Sequence, residues 1–244
     1  MINILEIATS DFGTTKSAVD GGADRVELCS NLSEGGTTPS YGTIYTCREM
    51  FDVSLYPIIR PRGGDFLYND EEYEIMLHDV KLCKQSGCDG IVTGILSEDG
   101  KIDIKRTSAI IEIAYPMGVT FHRAFDRCAD PFEALEQLIE IGCERILTSG
   151  QQPSVNEGIA LIGELNRVSD HRIVIMPGSG VRKENIEILA KETGCTEFHS
   201  SLRNKTKSKM KFIQPAFRDS EESYSNNFID PNEVIVLKKI LNEI

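Results

Sequence analysis

Apolar residues recur along this chain in short runs, each followed by a longer stretch in which they return every third or fourth position. Eight of the runs read as strands: Ile4–Ala8, Arg25–Leu28, Leu55–Arg60, Ile91–Thr93, Gly118–His122, Arg145–Leu147, Arg172–Met176 and Glu197–His199. Between them, amphipathic spacing predicts helices such as Tyr73–Gln85, Pro131–Ile141 and Lys183–Glu192. Asp130 ahead of Pro131 supplies an N-cap and a first-turn proline. Regular alternation of this kind predicts a (β/α)8 TIM barrel, with an open doubly wound sheet as the alternative. The barrel is expected to occupy residues 1–203. Residues 204–244 read as a C-terminal extension that ends in a helix and packs on the barrel or on a second subunit.

A recurring phrase punctuates the pattern: Gly22-Ala23-Asp24, Gly87-Cys88-Asp89, Gly142-Cys143-Glu144 and Gly194-Cys195-Thr196. Each copy closes a helix with a glycine suited to the left-handed C-cap and opens every second strand. Alignment of the copies on their glycine sorts the even strands into layers, because side chains alternate between lumen and helix layer. Val26, Ile91, Ile146 and Phe198 face the helices, and Glu27, Val92, Leu147 and His199 face the lumen. Cys29, Gly94, Ser149 and Ser201 fall at the mouth. The same parity turns Glu6, Arg60, Arg62 and His122 inward and places Arg25, Arg145 and Glu197 at the bottom, where a salt-bridge plug explains them.

Bulk properties narrow the partners. The chain has 244 residues and a net charge of −12, which argues against a nucleic-acid or anionic-membrane partner. Seven cysteines without CxxC pairs, no basic leader and no long apolar run suit a cytoplasmic protein. Any anionic ligand must therefore be held by local groups. Loops after the strands supply them: Arg62, Arg123, Ser149, Gly178, Gly180 and Ser201 are the candidate anion-binding residues. Glu27, Arg60, His122, Asp126 and His199 are the candidate catalytic set, with Glu27 and His122 as general acid and base. Asp126 either orients His122 or Arg123 or starts the turn toward Asp130. An Arg–Glu–His network that only satisfies buried charges would use the same residues. No lysine lies at a strand's C-terminal end, which argues against Schiff-base chemistry.

Several motifs also occur together in a familiar order. They include Glu27-Leu28-Cys29-Ser30-Asn31-Leu32, Arg60-Pro61-Arg62-Gly63-Gly64-Asp65-Phe66, Thr120-Phe121-His122-Arg123-Ala124-Phe125-Asp126 and Phe198-His199-Ser200-Ser201. Over about residues 2–203 the chain resembles the CutC copper homeostasis family. The resemblance implies a TIM barrel, a cytoplasmic location, a homodimer and a copper ion as ligand. Cu(I) prefers thiolates. Cys88, Cys143 and Cys195 open even strands, and Cys47 and Cys83 lie in helical patterns, so Cys29 and Cys128 are left on the ligand-bearing face. Cys29 is the candidate metal ligand, with Met176 and His199 as possible helpers. Three readings follow: a copper-binding protein, an enzyme acting on a small anionic or phosphorylated metabolite, and a non-catalytic scaffold.

Overall fold

The structure is a computed structural model that describes residues 3–217 and 224–244. The apolar runs form eight strands: β1 (Ile4–Thr9), β2 (Arg25–Leu28), β3 (Ser54–Pro57), β4 (Gly90–Thr93), β5 (Gly118–Phe121), β6 (Arg145–Thr148), β7 (Val174–Pro177) and β8 (Glu197–Ser200). They are joined by α1 (Phe12–Asp20), α2 (Tyr41–Met50), α3 (Asp70–Gln85), α4 (Ile104–Ala114), α5 (Pro131–Glu140), α6 (Ile159–Ser169) and α7 (Ile186–Thr193). Hydrogen bonding links the strands in two parallel halves, β3-β2-β1-β8 and β4-β5-β6-β7. A bridge between Ile58 and Val92 joins β3 to β4, and the Ile59 N–H donates to the Val92 carbonyl at 2.7 Å. With β7 beside β8, the ring closes as a (β/α)8 TIM barrel.

The glycines of the repeated phrase do what their position predicts. Gly22, Gly87, Gly142 and Gly194 have φ of 82°, 75°, 78° and 67°. At Gly22, Gly87 and Gly142 a Cβ would meet nothing within 4 Å. The requirement there is backbone conformation, not space.

The C-terminal segment divides differently from the sequence expectation. An exposed antiparallel hairpin, β9 (Asn204–Lys207) with β10 (Ser225–Phe228), interrupts the alternation. The polar stretch Asp219–Asn227 falls partly, at 219–223, outside the described residues. Beyond the hairpin, α8 (Pro231–Glu243) returns to the barrel and packs between α1 and α7. A Cβ on Gly21 would lie 2.5 Å from Val234 Cβ, so the two helices meet without room for a side chain there. Lys238 pairs with Asp24 at 2.7 Å, and Asn3 Nδ2 donates to the Leu241 carbonyl at 2.8 Å. The helix grouped with the extension is thus the eighth member of the helix ring. Among the described residues no helix is long and apolar enough to cross a membrane.

The apolar interior has two parts. The larger lies between strands and helices and contains Val26, Ile91, Ile146 and Phe198. The smaller, Cys29, Tyr56, Ile58 and Val92, lies inside the barrel. Below it, Glu197 accepts from Arg25 at 2.5 Å and from Arg145 at 2.6 Å. The Tyr56 ring lies 5.1 Å from the Arg25 guanidinium and 5.6 Å from that of Arg145. Gly90 leaves the space that this ring fills, since a Cβ there would come within 2.1 Å of it. These contacts form the plug that strand parity predicts.

Two substitutions separate these constraints. Gly142→Ala is expected to cost roughly 1–2 kcal/mol in denaturant unfolding, from φ alone. Glu197→Ala leaves Arg25 and Arg145 buried without their shared carboxylate, and is expected to cost about 3–5 kcal/mol. A loss under about 1 kcal/mol in the second case would mean that other acids hold the plug.

Candidate functional site

Above the plug, a cavity of about 690 Å³ opens at the C-terminal ends of the strands. Its floor and walls come from inward positions: Ala8, Glu27, Ile58, Arg60, His122, Leu147 and His199. Its rim comes from the loops after the strands and carries Arg123, Arg127, Arg182, Ser201 and Arg203.

A chain of buried charges leads from the plug into this cavity. One oxygen of Glu6 lies 3.4 Å from Arg25 and the other 2.7 Å from His199 Nδ1. His199 Nε2 then lies 3.8 Å from Glu27. Burial works to raise the Glu6 carboxyl, but the His199 hydrogen bond and the Arg25 charge outweigh it and hold the group below its usual range. Burial likewise works against a charge on His199. The Glu6 hydrogen bond and the Glu27 and Glu6 charges outweigh that and raise its pKa. Glu27 has no such compensation. Burial, helped by the Glu6 charge and opposed by His199, pushes it up to about 7.

His122 departs from the sequence expectation. Burial and the nearby Arg60 charge push its pKa down to about 3, so the imidazole is neutral and is not a general acid or base at ordinary pH. Its Nδ1 accepts from the Ala124 N–H at 3.2 Å, which leaves the proton on Nε2. Nε2 is buried and has no hydrogen-bond partner among the described residues. The ring is fixed in place. The Phe66 ring packs against it with centroids 4.8 Å apart and planes tilted by 52°, and a Cβ on Gly94 would come within 2.5 Å of Nδ1.

Arg60 is a structural cation as well as a wall of the cavity. It donates to the carbonyls of Glu34, Gly36 and Gly64 at 2.7–2.8 Å, tying together the loops after β2 and β3. Asp126 orients Arg123, with Nε donating to it at 2.7 Å, and not His122. It also accepts from Thr148 Oγ1 and from the Ser149 and Gln151 N–H groups, which shapes the loop after β6. Ser149 is fully buried and accepts from Arg123 at 2.8 Å, so it positions that arginine from outside the cavity lining. Arg62 faces away and pairs with Glu72 at 2.6 Å. Gly178 packs on Leu147, where a Cβ would lie 2.4 Å away, so of the two candidate glycines Gly180 alone lines the cavity.

Sequence reading missed Arg127, Arg182 and Arg203. Arg182 donates to Val181 O and Ser200 Oγ, Arg203 donates to Leu32 O, and Arg127 lies over the Phe66 ring at 5.8 Å. Among the described residues none of the three has a carboxylate within salt-bridge distance. The signal that could have found them was each arginine's place shortly beyond a strand end.

The candidate copper ligand fares differently. Cys29 points inward, but the loop after β2 seals it: a Cβ on Gly36 would lie 3.2 Å from its sulfur. Burial and the adjacent Glu27 carboxylate hold the thiol well above its usual pKa. The second thiol on this face, Cys128, is buried and pushed up to about 12. Among the described residues no three His, Cys, Asp or Glu side chains are grouped to hold a metal ion. Neither thiol lines the cavity, so neither is presented to it as a free thiolate donor.

Comparison with known proteins gives consistent matches. The profile of the CutC family matches residues 3–204, which ends where the hairpin begins. A CutC family protein of Parabacteroides distasonis is 52% identical over 87% of this chain and 88% of its own length. One from Chromobacterium violaceum is 49% identical over 87% and 86%. A solved CutC structure from Streptococcus agalactiae, whose name carries copper homeostasis, superposes with a TM-score of 0.78 at 34% identity. It covers 81% of this chain and 98% of that one.

Glu27 generates a pH signature. Its carboxyl moves from the ordinary 4.5 to about 7 in the folded protein, which therefore binds this proton more tightly than the unfolded chain does. The stability it contributes is complete below pH 4.5 and is lost as the pH rises through 7. Glu27→Gln is expected to gain on the wild type across that window, read as a growing difference in melting temperature. A difference that stays constant with pH would show that Glu27 ionises normally.

Proposed function

The chain belongs to the CutC family, and from that premise and the chemistry of its cavity we propose an enzyme that moves protons on a small anionic metabolite. The observation that carries the reading is Glu27, a buried carboxyl with a pKa of about 7 that faces a cavity rimmed by arginines. A group with that affinity accepts and returns a proton at neutral pH. His199, whose pKa Glu6 and Glu27 raise, neighbours it at 3.8 Å and favours the charge that Glu27 gains as it ionises. Arg123, Arg127, Arg182 and Arg203 supply the grip for an anion in a chain whose overall charge is −12.

A network that merely satisfied its own charges would pair its arginines. Here four of the five cavity arginines have no carboxylate partner among the described residues, and Arg123 alone has one, Asp126. A copper role, which the name of the Streptococcus agalactiae protein carries, finds no support in the donors around Cys29.

Binding of 2-phosphoglycolate, followed by calorimetry and by melting temperature at constant ionic strength, tests the proposal. The ligand is expected to raise the melting temperature, and Arg123→Met to weaken binding about 10- to 100-fold, the range for a lost charge-assisted contact. The proposal fails if neither 2-phosphoglycolate nor inorganic phosphate stabilises the protein beyond chloride.

A further inference from the structure

Two buried polar atoms of cavity-lining residues have no hydrogen-bond partner among the described residues, Arg60 Nε and His122 Nε2, and the proton-transfer reading uses neither. A buried donor without an acceptor costs about 1–3 kcal/mol, so one kept at a cavity wall calls for an oxygen from elsewhere. Everything around the ring preserves this arrangement. The Ala124 N–H fixes the tautomer, while Phe66 and the slot at Gly94 fix the plane. The neutral ring can donate a hydrogen bond but has no spare proton to release. That matches an oxygen on which negative charge develops during reaction and is stabilised in place.

Glu27 stands on β2 and His122 directly follows β5, three strands further around the barrel, and both line the same cavity. We infer that the substrate is a small α-hydroxycarbonyl compound with an anionic tail, enolised between Glu27 as base and the His122 Nε2–H as oxyanion donor. This rests on the proposed proton-transfer function and deepens it to a reaction class.

The step balances without a co-reactant. The Glu27 carboxylate takes the proton from the carbon beside the carbonyl. The C–H electron pair becomes the C=C bond, and the carbonyl π pair moves onto oxygen. That oxygen accepts the hydrogen bond from His122 Nε2–H, which keeps its proton. Glu27 then returns the proton to carbon. Return to the same carbon gives exchange or inversion. Return to the neighbouring carbon, with the hydroxyl proton passing between the two oxygens, gives the carbonyl isomer. The anionic tail, phosphate or carboxylate, lies against the loops after β7 and β8. There Gly180, Arg182, Ser201 and Arg203 line the rim.

A pair of probes tests this. Phosphoglycolohydroxamate mimics the planar enediolate and carries a phosphate tail, whereas 2-phosphoglycolate carries the tail alone. Calorimetry is expected to show the hydroxamate binding at least tenfold more tightly, as a mimic of the charge-developed state should. His122→Phe, which keeps a flat ring but removes the donor, is expected to abolish that preference and leave 2-phosphoglycolate binding in place. Glycolohydroxamate, without the tail, is expected to bind weakly, and equal binding would overturn the anionic-tail assignment. A readout on the unaltered protein guards against a misfolded variant. In 15N-edited NMR the His122 Nε2–H signal is expected to move downfield on hydroxamate addition while the ring stays neutral. The inference is overturned if the hydroxamate binds no better than 2-phosphoglycolate, or if the Nε2–H signal does not move. Absence of binding by either phosphate probe overturns the proposed function, and this inference with it.

Discussion

Glu6 is fully buried, and its two oxygens look in opposite directions. One meets Arg25, which belongs to the plug at the bottom of the barrel, and the other meets His199 in the cavity wall. The charged interior therefore cannot be divided into a structural half and a chemical half. Both neighbours favour the Glu6 charge and hold its pKa down, and the Glu6 hydrogen bond and charge in turn hold that of His199 up. Glu27, one residue pair further up, is left without a full partner. Burial, with the Glu6 charge beneath it and only His199 and Cys29 opposing, raises its carboxyl to about 7.

The same logic separates the arginines. Arg60 spends its Nη donors on three loop carbonyls and so holds the cavity wall in shape, with its charge felt by His122. Arg123 is aimed by Asp126 and Ser149. Arg127, Arg182 and Arg203 are anchored by carbonyls, a hydroxyl or an aromatic face, none of which neutralises a cation. A positive rim on an acidic protein results from this choice of partners and not from composition.

Strand parity carried most of the legible information. The left-handed glycines marked the even strands, and the alternating column then placed Glu27 and His199 inward, Phe198 outward and Arg25, Arg145 and Glu197 below. What parity cannot convey is how loops fold back. Cys29 occupies the expected lumen position, yet Leu32 and Gly36 cover it, and nothing in the spacing of that loop announces this. Ser149 likewise falls in the expected column but is drawn behind Arg123, and Gly178, in the loop after β7, packs on Leu147. His122 was visible as an inward histidine, whereas its neutrality comes from burial and from the charge of Arg60, 62 positions earlier in the chain. The eighth helix was seen as a helix but not as part of the ring, because the hairpin inserted before it broke the rhythm that identified the others.

That late helix has a temporal meaning. β1 pairs with β8, and α8 seals the same junction through Gly21, Asp24 and Asn3. Contacts between such distant parts of a chain form slowly, because a long loop must close before they can stabilise anything. On the ribosome, the segment from β1 to α7 must wait with an unpaired edge at β1, exposing apolar surface meant for β8 and α8. The barrel becomes a barrel only when residues 197–243 have emerged. Until then β1 has no β8 to pair with, and the Glu6 carboxylate, already made, has no histidine to meet.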